Sequence, residues 1–301
     1  CSRLGPGRRR GSGGSLMASI GVIVHLGREA ASEHARELAK WLTREGHEVR
    51  MPEEDAVAVG GSTLAVPASR FAEGLDLVVS LGGDGSMLRA LDLVGEAEVP
   101  LLGVDHGQLG YLTEVKPSNA REAVERFLKG EHQIEERMLI SMVLTPDGGG
   151  PVIEHLVLNE VVVERSTEVN TIRLAVDLDD DFFTTYTVDG MIVATPTGST
   201  GYAFSARGPI VDPAHRSLLL TPVSPHMLFD RSLVLSPDAA VRLRVDGHRP
   251  ATVSVDGRRI ATVGDGASIE CTAARCSAQF VTLGSRPFHR VLKAKFGLYD
   301  R

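Results

Sequence analysis

Short apolar runs and helical patterns alternate over the first 130 residues of the chain. The apolar runs are strand-length and rich in valine, isoleucine and leucine, which is typical of strands buried on both faces. They cover residues 20–26, a segment that begins at Val49, and residues 75–81 and 99–104. The helical patterns cover residues 32–45, a segment that opens at Ser86, and residues 117–128, whereas residues 51–71 are loosely patterned. This alternation predicts a parallel, doubly wound α/β sheet, in which ligands bind beyond the carboxyl ends of the strands.

After about Gly130 the period changes from that of helices to that of strands. Period-two or β-branched runs cover residues 137–145, 152–164, 171–178, 182–188, 241–245, 251–255 and 267–272. Glycine- and aspartate-rich turns separate them, and Asp246-Gly247 and Asp256-Gly257 are hairpin signals. The pattern predicts a second domain that is mostly antiparallel β structure.

This change of pattern divides the chain into domains. We expect an α/β domain over residues 19–130 and a β domain over residues 131–284. Residues 1–18 consist mainly of Gly, Ser and Arg and are expected to form a disordered extension. We expect the tail at 285–301, which contains a short amphipathic pattern, to pack back on the first domain, because a lone helix of that length is marginal.

Composition narrows the classes of function. The formal net charge of −7 argues against a nucleic-acid-binding surface. No apolar run approaches the ~20 residues that a membrane-spanning helix needs. The three cysteines, Cys1, Cys271 and Cys276, supply neither a disulfide framework nor ligand pairs for zinc. We therefore expect a cytoplasmic protein with no nucleic-acid or membrane partner.

The first candidate for chemistry is the glycine turn at residues 82–85, between the strand at 75–81 and the helix opening at Ser86. Backbone amides at such a turn favour anions, and glycine lets a phosphate approach. Asp84 at its centre would repel a phosphate unless a metal ion or a hydroxyl donor lies between them. A phosphoryl-transfer site requires that arrangement. The alternative is a tight turn in which Asp84 is an ordinary helix cap.

The second candidate is the hydroxyl-rich segment at residues 189–205. Pro196 cannot donate a ladder hydrogen bond, and Gly198 and Gly201 allow a close backbone approach. Several hydroxyls, the flat face of Tyr202 and the preceding Asp189 together suit a nucleoside. The alternative is a helix capped by Ser or Thr after a turn.

The third candidate is the pair Asn159-Glu160, which interrupts an apolar run predicted as one strand. A polar pair in that position is costly unless both side chains have partners. The pair either satisfies a neighbouring turn or contacts a ligand.

Together, these motifs resemble those of the NAD kinase family and occur in the family's order. The matching positions are 82–85, the Gly-x-Asp-x-Gly-x-Leu-Gly-Tyr-Leu-Thr element at 103–113, residues 158–160, and Asp189 with the run at 195–202. The resemblance covers roughly residues 19–297. Two positions depart from it, because the family usually has Asn at Asp105 and Ala at Gly201.

The resemblance implies an α/β domain joined to a β-sandwich domain, with NAD bound between them. It implies phosphorylation of the 2′-hydroxyl of the adenosine ribose of NAD, giving NADP, with Asp84 as the proton acceptor. The binding residues carried over are Gly83, Gly85, Arg89, Asn159, Glu160, Asp189, Thr197, Thr200, Gly201, Tyr202, Ala203, Phe204 and Ser205, with His226 as a further candidate. The donor, ATP or polyphosphate, needs a divalent cation, usually Mg²⁺, and we assign no protein residue as a metal ligand. The resemblance also implies a homo-oligomer, a dimer or tetramer.

Two other functions fit the glycine turn. One is a lipid or sugar kinase of the same Gly-Gly-Asp-Gly superfamily, and the other is a non-catalytic dinucleotide-binding regulator. The Asn-Glu and Gly-Ser-Thr-Gly-Tyr pieces disfavour the first, and an intact Asp84 disfavours the second. A generic dehydrogenase is disfavoured because no Gly-x-Gly-x-x-Gly follows the strand at 20–26.

Overall fold

The computed structural model describes residues 17–107, 110–166, 170–284 and 287–298. Most of the predicted extension at 1–18 therefore lies outside the described residues. The chain divides into two compact units. Unit 1 consists of the chain up to Glu136 together with the segment from Ala278 onward, and unit 2 is Arg137–Ser277.

The elements are numbered in chain order. The strands are β1 Ser19–Val24, β2 Glu48–Pro52, β3 Ala65–Val66, β4 Leu77–Gly82, β5 Leu101–Asp105, β6 Gln133–Thr145, β7 Ile153–Val157, β8 Glu160–Arg165, β9 Ile172–Leu178, β10 Asp181–Val188, β11 Gly190–Ala194, β12 Leu218–Val223, β13 Leu233–Leu235, β14 Val241–Val245, β15 Ala251–Val255, β16 Arg258–Val263 and β17 Ser268–Thr282. The α-helices are α1 Glu29–Arg44, α2 Glu53–Val59, α3 Asp84–Val94, α4 Ala120–Leu128, α5 Tyr202–Ser205 and α6 Phe288–Lys295. Short 3₁₀ turns cover Ser62–Leu64, Ala68–Arg70, Gly95–Ala97, Pro117–Asn119, Asp147–Gly149 and Thr197–Thr200.

The sheet of unit 1 is parallel and runs in the order β5-β4-β1-β2-β3. Its central strands are buried along almost their whole length, as their continuous apolar sequence predicts. From β1 the chain proceeds outward to β2 and β3, and it then returns to the other side of β1 to form β4 and β5. The strand order thus reverses between β1 and β4, and in doubly wound sheets ligands bind beyond the carboxyl ends of the strands at such a reversal. The predicted fold class of this unit is confirmed.

Several bounds in unit 1 differ from the sequence prediction. Helix α1 begins at Glu29, three residues earlier than predicted, and α3 begins at Asp84 instead of Ser86. The loosely patterned residues 51–71 contain α2 and β3. Helix α2 was missed because it is only 7 residues long, too short for a helical period to show.

Unit 2 is built from two antiparallel sheets. One contains the order β10-β9-β14-β17, with β6 and β7 paired as a hairpin, and the other runs β13-β12-β11-β8-β15-β16. A single hydrophobic cluster combines residues of both sheets, such as Val161 and Met191 from one and Leu174 and Leu243 from the other. Two packed antiparallel sheets confirm the predicted β-sandwich.

Two predictions for unit 2 are wrong. The run at 152–164 is not one strand, because the chain breaks between β7 and β8 at Leu158 and Asn159. Asp246-Gly247 does not join a hairpin, since β14 pairs with β9 and β17 while β15 pairs with β8 and β16. Asp256-Gly257 does join the β15–β16 hairpin.

Helix α6 lies in the part of the tail where the sequence shows an amphipathic pattern, and it belongs to unit 1. There Lys295 Nζ lies 5.1 Å from the centre of the Tyr111 ring. Across the described ranges, no helix has both the length and the apolar character needed to cross a membrane.

Candidate active site

Asp84 lies at the first turn of α3, directly after the carboxyl end of β4. The N-cap position of α3 is occupied by Gly83 and Asp84 is the first helical residue, so the alternative in which Asp84 is an ordinary helix cap is wrong. Instead, the Tyr111 N–H donates to Asp84 Oδ2 at 2.9 Å and the Leu112 N–H donates to Oδ1 at 3.0 Å. The carboxylate is therefore fixed by two backbone amides, and Asp84 stays partly exposed.

Glycine at position 110 is required by this contact. A Cβ atom there would lie well inside van der Waals distance of Asp84 Oδ1 and 2.7 Å from Thr113 Oγ1. Gly103 is similarly constrained, because its Cβ would lie 3.0 Å from the Leu112 carbonyl oxygen. Gly110 and the amides of Tyr111 and Leu112 thus pack against the glycine turn at 82–85 and hold Asp84.

Gly83 and Gly85 are not required by the fold in this way. A Cβ at either position would meet no atom within 4 Å, and neither has a positive φ. The space beside both glycines is open, as the approach of a ligand to this turn would require.

Arg89, predicted to lie beside a nucleotide, is engaged within unit 1. Its Nη1 donates to Asp55 Oδ1 at 3.0 Å and to the Val24 carbonyl at 3.3 Å, and its Nη2 pairs with Asp55 Oδ2. Asp55 is fully buried in α2 and also accepts the Val24 N–H at 2.6 Å. This network ties the carboxyl end of β1 to α2 and α3. The sequence prediction missed Asp55 because α2 itself was missed.

A second polar group stands at the same edge of the sheet. His34 Nδ1 and His106 Nε2 are 3.0 Å apart, and Arg28 Nη1 donates to the His106 carbonyl at 2.5 Å. Burial lowers the pKa of both histidines. The neighbouring His34 and Arg28 lower the pKa of His106 further. Asp105 Oδ1 accepts the Gly107 N–H at 2.8 Å, so its carboxylate shapes this loop locally.

In unit 2 the Asn159-Glu160 pair and the hydroxyl-rich segment lie against each other. The Thr195 N–H donates to the Asn159 carbonyl at 2.9 Å, and Thr195 Oγ1 donates to the Leu158 carbonyl at 2.5 Å. A Cβ at Gly198 would overlap the Asn159 carbonyl. The close approach that Gly198 was predicted to allow is therefore an approach to the backbone of Asn159.

Glu160 is the most perturbed acid in this cluster. It is 8% exposed, and its Oε2 atom is buried with no hydrogen-bond partner. Burial, followed by the charge of Asp256, raises the pKa of Glu160 to about 7, although a hydrogen bond from the Tyr202 N–H opposes the shift. A Cβ at Gly201 would lie 2.7 Å from Oε2. Gly201, where the family usually has Ala, thus makes room for this carboxylate.

Tyr202 and Asp189 also lie in one group. Asp189 Oδ1 pairs with Arg165 Nε at 3.2 Å. Burial and the negative charges of Glu164 and Asp189 raise the pKa of Tyr202. Tyr202 is still 38% exposed, so part of this residue is accessible.

The remaining predicted residues differ in accessibility. Thr197 is buried and accepts a hydrogen bond from Arg137 Nη1 at 3.3 Å, and Thr200 Oγ1 donates to the Thr197 carbonyl at 3.3 Å. Ala203 is fully buried in a small hydrophobic cluster, and its carbonyl accepts the Gly208 N–H at 2.8 Å. Phe204, Ser205 and His226 are exposed.

Sequence profiles of two domains match this chain, one after the other. The ATP-NAD kinase N-terminal domain matches residues 20–132, and the ATP-NAD kinase C-terminal domain matches residues 158–283. The chain belongs to the NAD kinase family. The family predicted from the motifs is therefore confirmed, and membership in the NAD kinases makes the protein a kinase, that is, a phosphotransferase.

Individual NAD kinases match over nearly their full length. The NAD kinase of Heliobacterium modesticaldum is 39% identical over 283 residues, which are 93% of this chain and 98% of the relative. The NAD kinase of Citrifermentans bemidjiense is 34% identical over 290 residues, which cover 95% of this chain and 100% of the relative.

Solved structures of the family share the fold. An NAD kinase from Archaeoglobus fulgidus in complex with ATP aligns with a TM-score of 0.71 and 26% identity, covering 95% of this chain and 100% of its own. Yeast NADH kinase complexed with NADH aligns with a TM-score of 0.87 and 22% identity, covering 95% of this chain and 91% of its own. Because the identity to yeast NADH kinase is only 22%, this similarity shows a shared fold and no more.

Proposed function

We propose that this protein phosphorylates the 2′-hydroxyl of the adenosine ribose of NAD, forming NADP with ATP or polyphosphate as the donor. The observation that carries the proposal is the partly exposed Asp84 carboxylate, held by two backbone amides at a glycine turn. A pure binding protein has no need of an oriented carboxylate at an anion-binding turn.

In the proposed reaction, Asp84 accepts the proton of the 2′-hydroxyl as the hydroxyl oxygen forms its bond to the transferred phosphorus atom. The bond between that phosphorus and the leaving oxygen of the donor breaks in the same step. Each carboxylate oxygen has two lone pairs, and the Tyr111 and Leu112 amides occupy one on each. A positioned base of this kind accelerates the reaction by roughly 10²- to 10⁴-fold.

We assign recognition of the nucleoside to unit 2. The unpartnered Glu160 Oε2 would accept a hydrogen bond from a ligand hydroxyl or amino group. The exposed Tyr202 offers a ring on which a base can stack, and Asp189, whose charge acts on Tyr202, offers an acceptor. Leaving a buried carboxylate oxygen without a partner is costly, so a ligand that supplies a donor gains affinity there.

The divalent cation is proposed to enter with the donor. Among the described ranges, no group of three or more His, Cys, Asp or Glu residues is placed to hold a metal ion. Mg²⁺ is commonly held by one or two carboxylates together with substrate phosphates, which fits a cation that arrives bound to the donor. When bound, it would neutralise charge on the transferred phosphoryl group.

The test is an assay of the full chain with NAD, Mg²⁺ and either ATP or polyphosphate. NADP is detected by a dehydrogenase that accepts only NADP, and parallel reactions replace NAD with a diacylglycerol or a sugar. We expect NADP with NAD as acceptor and at least one donor. Phosphorylation of the lipid or the sugar alone would favour the rival kinase function. NAD binding without turnover with either donor would favour a regulator.

We also propose that the protein assembles as a dimer or tetramer. Tyr202 and Phe204 are 38% and 39% exposed on a polar segment, where uncovered aromatic rings are unfavourable. Light scattering of the purified chain measures the assembly, and a monomer that is fully active at nanomolar concentration would contradict the proposal.

A further inference from the structure

Asp256 makes a concentrated set of contacts with the break between β7 and β8. Its Oδ2 accepts the Leu158 N–H at 2.9 Å, and its Oδ1 accepts the Asn159 N–H at 2.7 Å and the Glu160 N–H at 3.1 Å. Its own N–H donates to the Glu160 carbonyl at 3.0 Å. One side chain thus satisfies three consecutive amides of the segment that carries two predicted binding residues.

Leu158 and Asn159 lie between β7 and β8, outside both strands, and Glu160 is the first residue of β8. Buried backbone N–H groups are almost always hydrogen-bonded, so a break of this kind requires an acceptor from elsewhere. Asp256 supplies it from the β15–β16 turn, where its φ of 47° lies in the left-handed region that Asp tolerates better than most residues. Without this acceptor, the segment would lose the conformation that displays Asn159 and Glu160.

Asp256 also acts on the charge of Glu160. Its negative charge is the second cause, after burial, of the raised pKa of Glu160. The groups that face this pair are the Tyr202 N–H, which bonds to Glu160, and Arg258, which acts on Asp256. The contacts of Asp256 are therefore both geometric and electrostatic.

A role as a turn residue alone does not account for these contacts. The other Asp-Gly pair, Asp246-Gly247, has an Asp whose carboxylate pairs with Arg173 Nη2 at 2.8 Å on the surface. Asp246 makes no bond in the described structure to a predicted binding residue. It therefore provides a matched control.

We propose that Asp256 is a positioning residue for NAD binding, which acts by holding the 158–160 segment so that Asn159 and Glu160 face the ligand. The inference rests on the proposed function. Asp256 itself touches no substrate in this scheme, so its effect must pass through the residues that it holds.

The test compares four variants of the full chain: Asp256→Asn, Asp246→Asn, Glu160→Gln and the double variant Asp256→Asn with Glu160→Gln. Asparagine keeps the size of the side chain but has one acceptor oxygen, so at least one of the three amides loses its partner. The measurements are the NAD dissociation constant by calorimetry from pH 5.5 to 8.5, kcat and KM, and the thermal midpoint.

We expect Asp256→Asn to weaken NAD binding about 10-fold or more and to raise KM more than it lowers kcat. Asp246→Asn should bind NAD like the wild type. In the double variant, the Asp256 change should add less than about 3-fold to the effect of Glu160→Gln, because the two residues act through one segment. The pH midpoint assigned to Glu160 should move to lower pH in Asp256→Asn, which a purely structural loss would not cause.

Wild-type affinity in Asp256→Asn, or effects that multiply in the double variant, would overturn the inference. A wild-type chain that binds no NAD would instead overturn the proposed function, so the two failures are distinguishable. If Asp256→Asn does not fold, hydrogen exchange of the wild type decides the matter. The Leu158, Asn159 and Glu160 amides should exchange as slowly as amides within β8, and exchange as fast as in exposed turns would refute the inference.

Discussion

Changing Asp84 to Asn separates catalysis by the carboxylate from its role in the loop. The substitution preserves the size of the side chain and removes its negative charge. In the structure it has a second effect, because an amide has one oxygen whereas the carboxylate uses both. The Tyr111 and Leu112 N–H groups would then compete for one acceptor, and one would face the NH₂ group.

The two effects have different magnitudes. Loss of a general base lowers kcat by roughly 10²- to 10⁴-fold, which corresponds to about 3–5 kcal/mol in the activation free energy. Leaving one amide without its acceptor lowers the free energy of unfolding by about 1–3 kcal/mol. For a protein of this size that corresponds to a fall in thermal midpoint of roughly 2–5 °C. We therefore expect a large loss of kcat, a small fall in stability and little change in NAD affinity.

The matched control is Asp105→Asn. Asp105 lies opposite Gly82 in the neighbouring strand, and Asn is the residue that the resemblance leads us to expect there. Its carboxylate accepts the Gly107 N–H, a bond that the amide oxygen of Asn can keep. We expect kcat of Asp105→Asn to stay within a few-fold of the wild type in the same coupled assay at saturating NAD and donor.

An unchanged kcat in Asp84→Asn with a raised KM would show that Asp84 binds substrate and does not accept the proton. An equal loss of kcat in Asp105→Asn would show that any loss of charge at this edge impairs the reaction. Either result would refute the assignment of Asp84 as the base.

Three further predictions concern other parts of the two units. Tyr202→Ala should weaken NAD binding by about 1–3 kcal/mol, the scale of one lost base–aromatic stack, whereas the more exposed control Phe182→Ala should not, as calorimetry can measure. The pKa of Glu160 is about 7 in the folded protein, against an ordinary value of 4.5 that applies to the unfolded chain. Below pH 4.5 Glu160 is protonated in both the folded and the unfolded chain. As the pH rises from there to 7, its ionisation destabilises the fold increasingly. Glu160→Gln should therefore gain stability relative to the wild type between pH 5 and 8, by up to about 3 kcal/mol in denaturant titrations, and a pH-independent difference would contradict this. Asp55→Asn should lower the free energy of unfolding by about 3 kcal/mol, because the partly buried Arg89 cation loses its charged partner. As a control, Glu73→Gln removes an exposed ion pair and should leave the denaturation midpoint almost unchanged. An equal effect of the two substitutions would refute the reasoning.

The sequence predicts the two fold classes well because the periods of the two units differ. Valine-rich runs between helical patterns indicate a parallel sheet, and period-two runs indicate an antiparallel one. The errors occur where a local pattern does not carry tertiary information. Asp246-Gly247 and Asp256-Gly257 are the same dipeptide, yet only the second joins adjacent strands, because sheet membership depends on partners distant in sequence.

The candidate site shows the same limit. Its motifs are local in sequence, so Asp84 and the Asn159-Glu160 pair could be identified from residue types and spacing. The residues that support them could not. Asp55 contacts Arg89 from a different helix, and Asp256 contacts Glu160 from 96 positions away. Their importance follows from burial and hydrogen bonding, which a single sequence does not display.

The two-part composition of unit 1 has a consequence for synthesis on the ribosome. On one side of β5, Leu101 pairs with Phe280 of β17. Phe280 is synthesised only after all of unit 2 has been made. At ~5–20 residues per second, the intervening residues 137–277 take on the order of 10 s to emerge. During that interval the nascent chain carries an open parallel edge at β5, the kind of edge that recruits chaperones or neighbouring chains. Unit 2 is continuous in sequence and can complete its fold first, so the amino-terminal half of this protein is the last to be finished.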